Sequence, residues 1–243
     1  MHIRIDSWLV QNGFFDSRER AQLAIREGKV LCNGKLVSKP SQNVQPGDSI
    51  EVAGDPLPYV SRGGLKLEKA IRVFQLDFSN KKVLDAGAST GGFADCALKQ
   101  GAAKVYAVDV GSDQLAASLR THPQVVFYEN FDVRQLSLEQ LEGEQVDVIV
   151  CDVSFISLTH ILPAFPPLLK PGGFIVLLIK PQFELEQRTA LKGGIVKDPA
   201  LRKQAVGKVL SLAQSLGFQL KGLTATDVEE GKKNVEYLAW LQI

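Results

Sequence analysis

The sequence predicts an α/β protein: a doubly wound, Rossmann-like sheet preceded by a small α+β unit. Three observations carry that reading. From residue 81 onward, apolar strand-like runs alternate with helix-patterned stretches, which implies right-handed crossovers and a mainly parallel sheet covered by helices. One run leads directly into a glycine-rich turn, VLDAGASTGG over Val83–Gly92. Residues 1–54 follow another pattern, two helical stretches and then a strand cluster around an Asn-Gly turn.

In chain order, Ile5, Leu9 and Val10 recur at helical spacing, and Ala21, Ala24 and Ile25 do so after an Asp16–Ser17 capping signal. Lys29–Cys32, Lys35–Val37 and Ser49–Val52 are β-prone, separated by the Asn33–Gly34 and Pro46–Gly47–Asp48 turns; Asn-Gly between such runs signals a hairpin. A unit this small is marginal alone. Residues 55–60, with Pro56 and Pro58, read as a semi-rigid linker to a second domain, residues 61–243. That domain opens on a basic helix over residues 61–74. Strands are expected at Lys82–Ala86, Lys104–Val108, Val125–Glu129, Val146–Cys151, Gly173–Ile179, Gln219–Thr224 and Asn234–Gln242. Helices are expected at Gly92–Gln100, Asp113–Leu119, Ile156–Leu169 and Pro199–Leu216.

Bulk properties exclude several classes. The formal net charge is +1, so any nucleic-acid surface must be local. Cys32, Cys96 and Cys151 are too few and scattered for a disulfide framework, and with His2, His122 and His160 equally dispersed no metal site is expected. The start lacks the apolar core of a signal peptide, and the aliphatic run Phe174–Ile179 is far short of a membrane span. A cytoplasmic protein is expected.

In a doubly wound sheet the ligand sits beyond the carboxyl ends of the strands, where strand order reverses. Gly87, Gly91 and Gly92 allow close backbone approach there. Ala88, Ser89 and Thr90 separate Gly87 from Gly91, so the spacing is not GxGxxG and a dinucleotide is disfavoured. Asp85 and Phe93 flank the turn. The next strand ends in VYAVDVG, placing Asp109 and Val110 where an acid grips ribose hydroxyls; a third leads to Asp132, within reach of an adenine amino group. Each aspartate alone could simply cap a turn, but with the glycine turn they describe a nucleoside pocket.

The fourth and fifth strands end at Asp152 (CDVSF) and Lys180 (LIKPQFE). A lysine leaving an apolar strand is partly desolvated, which disfavours the ammonium and suits a general base for a hydroxyl proton. A structural ion pair is the plainer alternative. No proline pair with an aromatic follows Asp152, as enzymes that methylate base amines have, and Cys151 should point into the core. A hydroxyl acceptor fits best.

YVSRGGLKLEKA, VLDAGASTGGFADC, VYAVDVG, CDVSFISL, LIKPQFE and NVEYL together resemble the TlyA family within the FtsJ-like ribose methyltransferases. Residues 1–54 resemble an RNA-binding domain named after a ribosomal protein of the small subunit. The resemblance implies 2′-O-methylation of cytidines in ribosomal RNA or ribosomal subunits, with S-adenosylmethionine as donor. It carries a Lys-Asp-Lys-Glu tetrad onto Lys66, Asp152, Lys180 and Glu236, with Lys69 the rival for the first place. Asp132 replaces the family's usual asparagine. Through residue 39 there are seven basic residues against four acids; Arg4, Arg18, Arg20, Lys29 and Lys35, with Arg62 and Lys69 beyond the linker, are the candidate phosphate contacts. Trp8, Phe14 and Phe15 are expected to pack in the core. Rival readings are a non-catalytic RNA-binding factor and, because relatives have been labelled hemolysins, a membrane-active protein.

Overall fold

The computed structural model describes residues 3–15, 17–53, 57–185, 194–226 and 233–243. The chain divides into two compact units, Met1–Ser61 and Arg62–Ile243.

The first unit contains β1 (Ile3–Arg4), α1 (Ile5–Gln11), α2 (Arg18–Arg26), β2 (Val30–Cys32), β3 (Lys35–Leu36), β4 (Asn43–Val44) and β5 (Ile50–Val52). Ser17 caps α2 by accepting the Arg20 N–H at 3.3 Å; Asp16, the other half of the expected capping signal, lies outside the described residues. Asn33 (φ 52) and Gly34 (φ 71) form the β2–β3 turn, both left-handed as a tight hairpin requires. β3, β2 and β5 make one antiparallel sheet. Sequence periodicity missed the β1–β4 pair, since two-residue strands are too short to show an alternation. Ile5, Leu9, Phe15, Ala21, Ala24, Ile25 and Val30 form the core. Trp8 packs against that core, with its ring stacked 5.7 Å from the half-exposed Phe14.

The second unit opens with α3 (Gly63–Phe74), β6 (Lys82–Ala86), α4 (Gly92–Lys99), β7 (Lys104–Val108), α5 (Ala117–Arg120) and β8 (Val125–Tyr128). β9 (Val146–Cys151), β10 (Leu169–Ile179), α6 (Pro181–Glu184), α7 (Pro199–Ser215), β11 (Gln219–Ala225) and β12 (Tyr237–Gln242) complete it. The seven strands run in the order β8-β7-β6-β9-β10-β12-β11. β12 is antiparallel to both its neighbours, while β6 to β10 are parallel. The chain winds outward from β6 to β8, then returns to lay β9 on the other side of β6. That reversal opens a crevice at the carboxyl ends of β6 and β9.

Two expected helices are not formed as such. In place of the helix expected over 113–119 there is only the short α5, Ala117–Arg120, because residues 111–116 instead wrap the end of β8. The stretch 156–169 is three 3₁₀ turns, Leu158–His160, Leu162–Ala164 and Pro166–Leu168. Pro163, Pro166 and Pro167 lack the N–H groups an α-helix there would need. β10 also starts earlier than expected, at Leu169, with a register irregularity before Phe174. The central strands are buried on both faces, and Leu84, Tyr106, Ile149, Cys151, Ile175 and Leu177 anchor one core beneath the crevice.

Candidate active site

The turn from β6 to α4 is built on glycine for steric reasons. Gly87 has φ +85, and a Cβ there would lie 2.8 Å from the Asp152 carbonyl oxygen and 2.9 Å from Val153 Cγ1. Only glycine lets the β6 turn and the segment after β9 come this close. Gly91 has φ +90 and caps α4, and a Cβ there would lie 2.2 Å from Leu119 Cδ1. The Ser89 N–H donates to Asp109 Oδ2 at 2.8 Å, and the Gly111 N–H donates to Asp109 Oδ1 at 2.7 Å. Asp109 thus ties the glycine turn to the end of β7.

A cavity of about 590 Å³ opens beside this turn. Of the residues expected to hold a cofactor, Gly87, Ser89, Asp109, Val110 and Asp132 line it, together with Asp152, Ser154 and Phe155. Asp85, Ala88, Thr90, Gly91, Gly92 and Phe93 do not. Gly91 packs beneath Leu115 and Leu119, and Gly92 and Phe93 are buried in the first turn of α4, so these three shape the turn from behind. Asp85 is fully buried; its Oδ2 accepts the Ala94 N–H at 2.9 Å, while Oδ1 has no hydrogen-bond partner. Burial pushes its pKa up to about 8, the Ala94 N–H offsetting this in part and the charges of Asp152 and Asp109 adding to it. Arg134 Nε shares its one N–H between the two Asp132 carboxylate oxygens, 3.0 Å from each, and Nη2 donates to Oδ2 at 2.5 Å. The Arg134 guanidinium holds this carboxyl below the usual range and occupies the group that the sequence reserved for an adenine.

The four candidate catalytic residues meet as two ion pairs. Lys180 Nζ lies 2.5 Å from Asp152 Oδ1 and donates to Ser154 Oγ at 2.8 Å. Lys66 Nζ, from α3, donates to Glu236 Oε2 at 2.7 Å. Sheet register explains the convergence: β10 and β12 end on the pair Ile179–Tyr237, so Lys180 and Glu236 are the next residues along. The Asp152 N–H donates to the Ala86 carbonyl, seating Asp152 at the end of β6. Lys180 is only 8% exposed and reaches the cavity wall through Asp152 and Ser154. Lys69, the rival for the first position, sits on α3 one residue before the buried Ala70. Cys151 is buried in the core, as its place on β9 predicts, and burial raises its thiol pKa. Among the described residues no cluster of three or more His, Cys, Asp or Glu could hold a metal ion.

Sequence reasoning missed three supports. Ser154 stands two residues past Asp152, so alternation along an extended segment could have found it. Glu129 accepts the Gln114 and Leu115 N–H groups and a two-pronged bond from Arg120. Burial pushes its pKa up, but Arg120 and these amides outweigh it and hold the group at about 2. Glu184 accepts from the Ser157 hydroxyl and from the Leu158 N–H at 2.9 Å. Both glutamates depend on partners distant in sequence, for which no local signal exists.

In the first unit, Arg4 and Arg18 are engaged with the fully buried Asp6, at 2.9 and 3.0 Å, and Gln22 donates to the same carboxylate. Arg20 donates to the Leu57 carbonyl at 3.3 Å. Lys29 and Lys35 are exposed at the two ends of the hairpin. In the second unit Arg62 immediately precedes α3 and is half-buried, as is Lys69. No described helix is long and apolar enough to cross a membrane.

Residues 59–243 match the family described as FtsJ-like methyltransferase, and residues 3–50 match the S4 domain. "Hemolysin A" of Brachyspira hyodysenteriae is 43% identical over 237 residues, 98% of each chain. The "16S/23S rRNA (cytidine-2'-O)-methyltransferase TlyA" of Mycobacterium tuberculosis is 42% identical over 240 residues, 98% of this chain and 89% of that one. Among solved structures, a Streptococcus thermophilus protein described as a hemolysin matches at TM-score 0.77 and 39% identity, over 99% of this chain and 88% of that one.

Proposed function

Because the chain belongs to the FtsJ-like methyltransferase family, we infer that it methylates the 2′-hydroxyl of cytidine in ribosomal RNA, with S-adenosylmethionine as donor. The observation that carries this reading is Lys180 at the end of β10, held by Asp152 and Ser154, which themselves line the cavity. The cavity suits the donor by volume, since small-molecule sites run from about 300 to 1,000 Å³, and by chemistry. Val110, Phe131 and Ile156 offer apolar faces for an adenine, Asp109 an acceptor for ribose hydroxyls, and the carboxylate of Asp152 complements a cation.

When bound, the donor supplies an electrophilic methyl on a sulfonium. Lys180 would take the proton of the ribose hydroxyl on Nζ as that oxygen receives the methyl. Asp152 and Ser154 hold the resulting ammonium. Lys66 and Glu236 orient the sugar, and such orientation is a large part of lowering a barrier, on the order of 7–11 kcal/mol in favourable cases. Residues 1–54 serve as the RNA-binding module, residues 61–243 as the catalytic one.

The test is incubation of the purified protein with labelled donor and ribosomal subunits or free ribosomal RNA, followed by mapping of ribose methylation. Methyl incorporation at a cytidine 2′-oxygen that disappears with Lys180→Ala is expected. Incorporation at a base atom, or none from the unaltered protein, would overturn the reading.

A further inference from the structure

We propose that Glu184 is a positioning residue for methyl transfer: its buried carboxylate locks the segment after β9 to the segment after β10, holding Lys180, Asp152 and Ser154 in one arrangement. The proposal rests on the methyltransferase reading above. Glu184 ends α6, four residues past Lys180, and is only 3% exposed. Both carboxylate oxygens are used across the gap between the segments: Ser157 Oγ donates to Oε2 and the Leu158 N–H donates to Oε1 at 2.9 Å. Ser157 also caps the following 3₁₀ turn by accepting the Thr159 N–H. On the far side, Lys208 of α7 donates to the Glu184 carbonyl at 3.3 Å.

The segment from Asp152 to Ser157 needs such a fixture. It has no regular structure, and Phe155 within it stands at φ +67 with its residue 83% exposed. A bulky residue in the left-handed region is strained, and an exposed ring contributes little packing to hold that strain in place. The other segment starts at Lys180, whose carbonyl accepts the Phe183 N–H at 2.9 Å, and Phe183 places its ring 5.3 Å from Phe155 and 6.0 Å from Lys180 Nζ. A buried carboxylate is costly unless its partners compensate it, and two of its partners, Ser157 and Leu158, lie on the segment that carries Asp152 and Ser154. The glycine turn has its own tie, the Ser89 N–H to Asp109, and meets the clamped segment at Asp152, whose N–H donates to the Ala86 carbonyl. Loss of the clamp should therefore displace the lysine most, with a smaller effect on the donor, whose cavity the same segment also lines.

The test is steady-state kinetics of the full chain with S-adenosylmethionine and ribosomal RNA. Glu184→Ala is expected to lower kcat about ten- to a hundredfold, the scale at which small misplacement of reacting groups acts, with a clearly smaller rise in the KM for donor. Glu184→Gln keeps an acceptor for the Leu158 N–H and should recover most of the rate. In the Lys180→Ala background, Glu184→Ala should cost nothing further, since it acts through that lysine. Turnover by Glu184→Ala at the unaltered rate, a matching loss of donor affinity, or a full additional loss in the double variant would overturn the proposal. Should Glu184→Ala not fold, Ser157→Ala removes one half of the clamp, and its undiminished kcat would overturn it equally. An unaltered protein that transfers no methyl at all defeats the underlying methyltransferase reading instead.

Discussion

At the scale of single residues, the contact between Lys180 and Asp152 admits two roles that one substitution separates. If the pair only braces the strand ends, Lys180→Arg preserves it, because a guanidinium also binds a carboxylate. If Lys180 must take a proton, arginine fails, since it stays charged at every working pH. We expect Lys180→Arg and Lys180→Ala to lose single-turnover rate alike, by about a hundred- to ten-thousandfold, with Lys180→Arg retaining the melting temperature. Rescue of the rate by arginine would leave the brace as the better account. Asp85 gives a second expectation. Its folded-state pKa is raised from 3.8 to about 8, so between those values the folded protein holds a proton that the unfolded chain has released. The stability contribution of this group therefore falls as pH rises from about 4 to about 8. Asp85→Asn, neutral throughout, should flatten that decline in the donor-free protein, measured by denaturant unfolding across the pH series. Identical pH slopes for the two proteins would contradict a neutral Asp85.

At the scale of elements, the strands that build the crevice were legible because each is a short apolar run bounded by turn residues. β6, β7 and β9 occupy the residues that the pattern assigns to them. Asp152 and Lys180 were legible for the same reason, standing directly after such runs. What escaped depends on partners far along the chain. Nothing near Asp113 announces that Glu129 gathers the N–H groups of Gln114 and Leu115, and so the expected helix over 113–119 shrinks to α5. Nothing near Asp132 singles out Arg134 as more than a surface charge, although it occupies that carboxylate. The glycine turn lies between these cases: its composition was plain, but its reason is a contact with the segment after β9. Gly87→Ala imposes both a left-handed backbone and a Cβ 2.8 Å from a carbonyl oxygen. It should destabilise the protein by more than about 1 kcal/mol and weaken donor binding, because the clash pushes the β6 turn away from Asp152. Thermal unfolding together with donor titration checks this, and unchanged affinity would mean that the turn is not part of the donor site.

At the scale of the whole molecule, charge alone would not have found an RNA-binding unit. Residues 1–61 carry seven lysines and arginines against seven aspartates and glutamates, and the chain as a whole is +1. The basic residues of the first unit also divide by what they touch. Arg4 and Arg18 hold the buried Asp6: burial pushes its carboxyl up, but their hydrogen bonds, with that of Gln22, outweigh this and keep it well below the usual range. Lys29 and Lys35 stand exposed at the ends of the hairpin. Affinity for a polyanion follows the cations free to displace its counterions, so the two sets should respond differently. Lys29→Ala with Lys35→Ala should weaken ribosomal RNA binding and flatten the dependence of log K on log salt by about one unit per lysine, at an unchanged melting temperature. Arg4→Ala with Arg18→Ala should instead lower the melting temperature, most of all above the ordinary carboxylate pKa, where Asp6 would be left charged and buried. A salt slope that responds to the arginine pair but not to the lysine pair would move the RNA contact to the Asp6 face and away from the hairpin.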